Sequence, residues 1–313
     1  MHLHSFVTQF WPSTVDGVTL GSIYALFALG YTLVYGVLKL INFAHSEVFM
    51  VGTMSAMWIM HFLNISAIQS GFALVGALLL AALFSMGGSA ATALALERVA
   101  YRPLRRRGAS RLAALISAIG ASFVLQQVFE VYYSNQYSNF PRLFKHSTLF
   151  NIGSAQITTD RVLIVVAAVV MMVALERTVA LTKLGRGIRA VAQDPETATL
   201  MGVNIDRTIM YTFLLGGIMA GVAAVLWNVR FEQTRFDIGF LPGIKAFTAA
   251  VLGGIGNIRG ALLGGLIIGL LELYGASVFG SQWRDTTVFV VLVLVLLFRP
   301  SGLLGESLAR ARA

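Results

Sequence analysis

The sequence predicts an all-α polytopic membrane protein, a helical bundle of about eight or nine transmembrane segments with some short or broken helices. Three observations predict it. The chain is 57% hydrophobic and only 12% charged, against about 25% charged in soluble domains, and its mean hydropathy is +0.78. Apolar runs of roughly 20 residues, enough to cross a bilayer, recur along its length. Its lysines and arginines collect in a few loops between those runs, as the positive-inside rule requires.

The first span is expected at 15–37, with Gly17 and Gly21 at the spacing that lets helix backbones approach. It ends at a polar break, Asn42-Phe43-Ala44-His45-Ser46-Glu47. Ionisable groups beside hydrocarbon are costly and usually have a reason to be there. Two readings stand: Asn42 or Ser46 caps the second span in interfacial water, or these residues line a substrate pathway. Further spans are expected at 45–63, 71–96, 112–131, 162–181, 209–229 and 261–279. Residues 286–298 are intensely apolar but short. Residues 244–258 are shorter and glycine-rich, and read as a broken or re-entrant segment.

Glu272 lies inside the run GGLIIGLLELYGASVF, a turn or two from its outer end. A short carboxylate cannot snorkel, so it must face a water-filled cavity or a partner group. A substrate contact and an ion pair with Lys245 or an arginine are both open. Gly217/Gly221, Gly256/Gly260, Gly260/Gly264 and Gly265/Gly269 repeat the small-residue spacing, which ordinary helix packing accounts for.

Orientation follows from charge. Arg98, Arg102, Arg105, Arg106, Arg107 and Arg111 crowd one loop, Lys183, Arg186, Arg189 and Arg207 another, and Arg299, Arg310 and Arg312 the tail. Placing these inside with Lys39, Arg177 and Arg259 gives sixteen basic residues inside and six outside, with Lys245 unassigned. The C-terminus is then cytoplasmic. If 244–258 crosses, the N-terminus is outside. The net charge of +9 is a record of topology and implies no nucleic-acid partner. The opening MHLHSFVTQFWP lacks the basic n-region and cleavage site of a removable signal peptide.

Residues 1–313 are expected to form one transmembrane domain, with a polar, aromatic outer loop at 132–160 and an inner loop at 182–207. In the inner loop Asp194, Pro195 and Glu196 read as N-cap, first helical residue and acidic first turn. Gly202 reads as the stop, because glycine accepts the left-handed conformation. Between them lies a helix of barely two turns, marginal in water unless it leans on a surface. That surface is either the membrane and the protein's own inner face, or the groove of a cytoplasmic partner.

The segment GGIGNIRG fits neither GxGxxG nor GxxxxGK[ST], so nucleotide binding is not expected. No HExxH, cysteine or His-rich cluster occurs, and His45 and Glu47 at i, i+2 make no ready metal site. No metal, cofactor or catalytic constellation is expected, and the chain does not read as an enzyme. INFAHSE and GGIGNIRG fall at similar turns in the two halves, a faint sign of an internal repeat.

The blocks GVTLGSIYALFALGYTLVYG, INFAHSEVFMVG, LERVAYRPLR, LISAIGAS, GRGIRAVAQD, MGVN, KAFTAAVLGGIGNIRGALLGGLIIGLLE and RPSGLLG occur in this order from Gly17 to Gly305. Together they resemble the permease subunits of branched-chain amino acid ABC importers, and the first of the two permeases in such a system more than its longer companion. The family commonly has glycine where this chain has Ser46.

The resemblance implies an importer-type permease fold and uptake of leucine, isoleucine or valine across the inner membrane by alternating access. It implies a periplasmic substrate-binding protein, a second permease subunit and cytoplasmic ATP-binding subunits that hydrolyse the ATP. Membrane lipid surrounds the whole. Relatives that carry urea, short amides or other amino acids are the alternative; an ion-coupled secondary transporter is a further one. The resemblance also implies that the inner-loop helix docks in a groove of the ATPase. The matching residues are Gly185, Arg186, Gly187, Arg189, Asp194, Pro195, Glu196 and Gly202. For the pathway, the candidates are Asn42, His45, Ser46, Glu47 and Glu272.

Overall fold

The computed structural model describes residues 3–65, 68–133, 136–299 and 301–305. Arg310 and Arg312 of the basic tail, and Pro300 of RPSGLLG, lie outside them. The chain is helical throughout its apolar runs. Its helices are α1 (Leu3–Leu38), α2 (His45–Phe62), α3 (Gly71–Leu96), α4 (Arg102–Arg106), α5 (Arg111–Tyr133), α6 (Thr159–Leu181), α7 (Lys183–Gln193), α8 (Pro195–Leu200), α9 (Ile205–Phe231), α10 (Phe240–Gly253), α11 (Ile258–Phe279) and α12 (Arg284–Phe298). A π-helical turn, Glu97–Tyr101, joins α3 to α4 in one rod.

Seven stretches among the described residues are long and apolar enough to span: Gln9–Leu38, Gly71–Arg106, Arg111–Tyr133, Thr159–Leu181, Ile205–Phe231, Ile258–Phe279 and Ser281–Phe298. The helix α2 is not among them, because His45, Glu47 and His61 dilute its apolar run. The segment expected at 244–258 is displaced: α10 starts four residues earlier and stops at Gly253. Its 14 residues reach only about 21 Å, short of the roughly 30 Å hydrocarbon core. The reason it stops is local. Gly254 and Gly256 adopt φ of +104° and +96°, turning the chain into α11.

The helices pack into two compact units. The first comprises Met1–Thr32, His146–Val170 and Ile244–Ala313. Here the glycine spacing explains the contact. A Cβ on Gly21 would stand 2.8 Å from Leu266 Cα and 2.9 Å from the Gly265 carbonyl oxygen, and one on Gly17 3.0 Å from Leu270 Cα. Gly269 faces Gly17 and Gly21 in return. So α1 and α11 touch backbone to backbone, the closest approach two helices can make. Gly260 and Gly264 bring α11 equally close to Gly253 and Ala249 of α10.

GGIGNIRG is the turn between those two helices. Asn257 caps α11, its Oδ1 accepting from the amides of Arg259 (3.0 Å) and Gly260 (3.1 Å). The amides of Leu303 and Leu304 bond the carbonyls of Leu252 (2.8 Å) and Gly253 (3.0 Å). RPSGLLG therefore satisfies carbonyls that the end of α10 leaves open. The break before α2 has no such cap, so the two turns are built differently. A hairpin of β2 (Thr148–Ile152) and β3 (Ala155–Thr158) completes this unit.

Gly21→Val is expected to lower the thermal midpoint of the detergent-solubilised protein, because overpacking costs about 1–3 kcal/mol and here meets backbone that cannot yield. Gly87→Ala, where nothing lies within 4 Å, should be neutral or stabilising. Equal midpoints for Gly21→Val and the parent would contradict the packing.

The second unit comprises Leu33–Lys145 and Met171–Gly243. Its core is α2, α3 and α9. Gly217 and Gly221 of α9 admit Ala90 and Met86 of α3, where an added Cβ would come within 2.8 and 2.6 Å of their Cα atoms. Ser85 Oγ lies 2.9 Å from the Gly52 carbonyl and 2.7 Å from that of Gly221, and Ser89 Oγ donates to the Val48 carbonyl at 2.8 Å. Asn228 Nδ2 donates to the Thr53 carbonyl at 2.8 Å. Interhelical polar contacts of this kind replace the hydrophobic driving force that lipid cannot supply. The outer loop returns to this unit through β1 (Ser138–Asn139), which pairs antiparallel with β4 (Gln233–Thr234).

Candidate functional site

Three sets of polar residues interrupt the apolar fabric. The first is the break before α2, in the second unit. The chain leaves α1 through Lys39 at φ +53° and enters α2 at His45. Neither Asn42 nor Ser46 caps α2: the N-cap is Ala44, with no side-chain capping bond. Nor does the break face interfacial water. Asn42, His45, Ser46 and Glu47 are all buried, Glu47 completely. Tyr101 donates its hydroxyl to Asn42 Oδ1 at 2.8 Å. Ser46 Oγ reaches the Phe43 carbonyl at 2.7 Å and Glu47 Oε1 at 3.1 Å.

Glu47 Oε1 also accepts from Ser122 Oγ and Gln126 Nε2, both at 2.9 Å. Those two residues lie one turn apart on α5, roughly 16–22 Å along it from Arg111. The carboxylate therefore sits well inside the helix layer. Its Oε2, and Asn42 Nδ2, have no hydrogen-bond partner among the described residues. Leaving such atoms unsatisfied in a buried site is expensive. Ser122 and Gln126 escape a reading of sequence alone, although polar residues inside an apolar helix are the signal.

The second set surrounds Glu272 in the first unit. Glu272 is 1% exposed and Lys245 6% exposed, so neither charge is solvated. Lys245 Nζ bridges Glu272 Oε1 at 2.8 Å and Asp285 Oδ1 at 2.6 Å. Arg284 Nε approaches Glu272 Oε1 at 2.5 Å, and buried Tyr24 lies beside the pair, its ring centroid 6.0 Å from Lys245 Nζ. Two anions and two cations thus balance. Glu272 pairs with both Lys245 and an arginine, and the chain brings these groups together from α1, α10, α11 and α12. Its place on α11, seven residues before Phe279, is roughly 10 Å from the helix end.

The third set is the inner loop, in the second unit. It holds two helices where one was expected. The unforeseen one is α7, whose Leu184, Ile188 and Val191 recur at helical spacing, a signal present in the sequence. Thr182 caps it by accepting from the Gly185 amide at 3.0 Å. Gly185 is required there, because any Cβ would run into the Val179 backbone. Arg189 donates to the Ala180 carbonyl at 3.3 Å. Arg186 is exposed, and Gly187 sits beside Val203 and Thr208.

The short helix α8 follows the expected grammar, one residue off at its end. Asp194 is its N-cap, accepting from the Glu196 amide at 3.0 Å and from the Thr197 hydroxyl. The Thr197 hydroxyl first, then the amides, hold the Asp194 carboxyl below its ordinary range. Pro195 is the first helical residue. Gly202 closes it at φ +83°; its amide bonds the Thr199 carbonyl (2.9 Å) and that of Val203 the Ala198 carbonyl (3.0 Å), the Schellman pattern. Only Ala198 of α8 is buried. Leu200 and Met201, at its tip, are 86% and 80% exposed. Apolar residues this exposed are left for another surface, membrane or protein, to cover, and the two residues were not among the expected contacts.

The arginine cluster of the first inner loop is partly tied down. Buried Glu97 pairs with Arg102 (3.0 Å) and Arg105 (3.4 Å), and Asp206 pairs with Arg105 (2.5 Å) and Arg106 (2.8 Å). Among the described residues no group of three or more metal-ligating side chains converges.

Residues 13–298 match the family described as branched-chain amino acid transport system / permease component. The chain is 44% identical to the high-affinity branched-chain amino acid transport system permease protein BraD of Pseudomonas aeruginosa, over 96% of this chain and 97% of that one. It is 42% identical to the permease protein LivH of Escherichia coli K12, over 95% and 96%. A probable LivH of Methanocaldococcus jannaschii is 29% identical over 90% and 88%. A multi-pass chain of apolar helices, closed by backbone-to-backbone glycine contacts and matched end to end, belongs to the branched-chain amino acid transport system permease family.

Proposed function

We propose that this chain is the first-type permease subunit of an ATP-driven importer that carries leucine, isoleucine or valine across the bacterial inner membrane by alternating access. The observation that carries this reading is the near-complete match to two high-affinity branched-chain amino acid permeases at 44% and 42% identity. A periplasmic binding protein delivers the substrate, a second permease completes the pore, and cytoplasmic ATP-binding subunits hydrolyse ATP. Their work reaches the pore as a shift between inward- and outward-open states. The deciding experiment is reconstitution of the complex in proteoliposomes with a panel of labelled substrates. ATP-dependent uptake of the three branched-chain amino acids supports the reading. Uptake of urea or amides instead, or uptake driven by an ion gradient without ATPase, overturns it.

The inner loops and C-terminus are assigned to the cytoplasm. The turn at 254–257 and the residues after α12 share that face, since they are hydrogen-bonded together. If α2 and α10 both cross, alternating passes leave the N-terminus outside. The chain has no cysteine, so single cysteines report cleanly. Arg107→Cys and Gln193→Cys should react with impermeant maleimide only from the cytoplasmic side, and Asn139→Cys only from the other. Labelling of Arg107→Cys and Asn139→Cys from one face would break the assignment.

Asn42, His45, Ser46 and Glu47 are assigned to the substrate pathway, on the strength of two buried polar atoms that nothing in their own unit satisfies. Glu47→Gln keeps shape and removes charge. It should reduce uptake at least tenfold with membrane level unchanged, and full uptake would remove Glu47 from the pathway. Glu272 is kept as a pathway candidate through its ion network, and α8 is assigned to the ATPase; both are tested below.

A further inference from the structure

Between α7 and the start of α9 runs a cleft of about 770 Å³, two of whose lining residues, Arg186 and Gly187, are also among those matched to the ATPase contact. Lys183, Arg186 and Arg207 stand along its walls, and Leu184, Val203 and Tyr211 supply its apolar lining. All three cations are exposed, and none has an ion-pair partner among the described residues. That sets them apart from Arg102, Arg105 and Arg106, which are paired to Glu97 and to Asp206, the residue before Arg207. The height of the cleft matters. Lys183 follows the last residue of α6 by two positions, and Arg207 is the third residue of α9, so both lie level with lipid headgroups. Thr208 is the next residue of α9, and Tyr211 lies one turn further into that membrane-spanning stretch. A soluble partner cannot reach that depth, but an acyl chain can.

We infer that this cleft is a binding site for an anionic phospholipid. Its phosphate sits among Lys183, Arg186 and Arg207, and one acyl chain lies along Leu184, Val203 and Tyr211. Basic pockets between membrane helices suit such headgroups, and a tyrosine at the interface presents an apolar ring with a polar tip. Gly187 forms the floor. A Cβ there would meet Thr208 Oγ1 at 3.5 Å and Val203 Cγ1 at 3.6 Å, ordinary contacts, so the missing side chain leaves room in the cleft without being needed for packing. The choice of inner leaflet rests on the orientation proposed above; the binding chemistry does not.

The test uses the full chain, purified in detergent and stripped of lipid, with acyl-labelled phosphatidylglycerol and the matching phosphatidylcholine as probes. The parent should prefer phosphatidylglycerol. Each charge removed should weaken that preference about fivefold, so Arg186→Gln/Arg207→Gln should weaken it about thirtyfold. Gly187→Leu, which keeps every charge and fills the cleft, should lose the bound lipid as well. Arg107→Gln, elsewhere on the same face, should bind as the parent does. Equal binding of the two lipids by the parent would overturn the site even if a variant failed to fold. So would parent-like preference in the double variant. Full competition by soluble glycerol 3-phosphate would mean a free-phosphate site, and displacement of the lipid by added ATP-binding subunits a protein contact; either outcome overturns the lipid assignment.

Discussion

Leu200→Asp/Met201→Asp is expected to abolish ATP-driven uptake by the reconstituted complex while the permease still inserts and folds. Both side chains project from the tip of α8 almost fully exposed, so their loss takes nothing from the core. If the groove of an ATP-binding subunit covers them, each buried apolar side chain contributes about 1.5–3 kcal/mol to the contact. Two aspartates remove that and add desolvation cost, weakening association by at least two decades. Glu196→Lys should act in the same direction but less strongly. Its effect on the helix terminus is only about 0.3–1 kcal/mol; the rest acts across the contact. ATP hydrolysis stimulated by substrate should fall together with uptake. Wild-type association and stimulation in the double variant would remove α8 as the coupling element.

Lys245→Met is expected to destabilise the first unit by about 3–5 kcal/mol, the usual cost of breaking a buried ion pair from one side. The reason is charge balance. Lys245 serves both Glu272 and Asp285, and without it two carboxylates are left with one cation, Arg284, which pairs with Glu272. The double variant Lys245→Met/Glu272→Gln restores one anion to one cation and should recover most of the lost stability. The measurement is the thermal midpoint and folded yield in detergent, followed by uptake. Recovery of stability without uptake would keep Glu272 in the pathway. Recovery of both would make the network a structural brace. No loss in Lys245→Met would mean that the pair contributes little.

How much was legible beforehand varies with the physics of each element. The helix α3 was legible to the residue, although the rod it opens runs on to Arg106, because a long apolar run needs only its own backbone hydrogen bonds to be helical in lipid. The short helix α8 was legible because its signals are local: an Asp cap, a proline behind it and a glycine stop. The amphipathic α7 was missed. It is polar overall, and its three apolar positions mean little until α9 is there to cover them. Leu200 and Met201 were passed over because an apolar residue in a short helix looks like core until the fold leaves it outside.

The chain's apolar runs, basic loops and glycine spacings determine on their own that it is a multi-pass helical protein, which faces carry charge and which stretches turn. They do so because bilayer thickness, backbone hydrogen bonding and the cost of burying charge act on contiguous residues. The tertiary structure alone decides what the isolated polar residues do. Glu272 finds Lys245, 27 residues away, and Glu47 finds Ser122 and Gln126, more than 70 away. Gly17 and Gly21 find Gly265 and Gly269 across most of the chain. A buried charge must have a partner, and a glycine face must have a backbone against it; which partner and which backbone depend on how the helices are set side by side, and no local pattern encodes that.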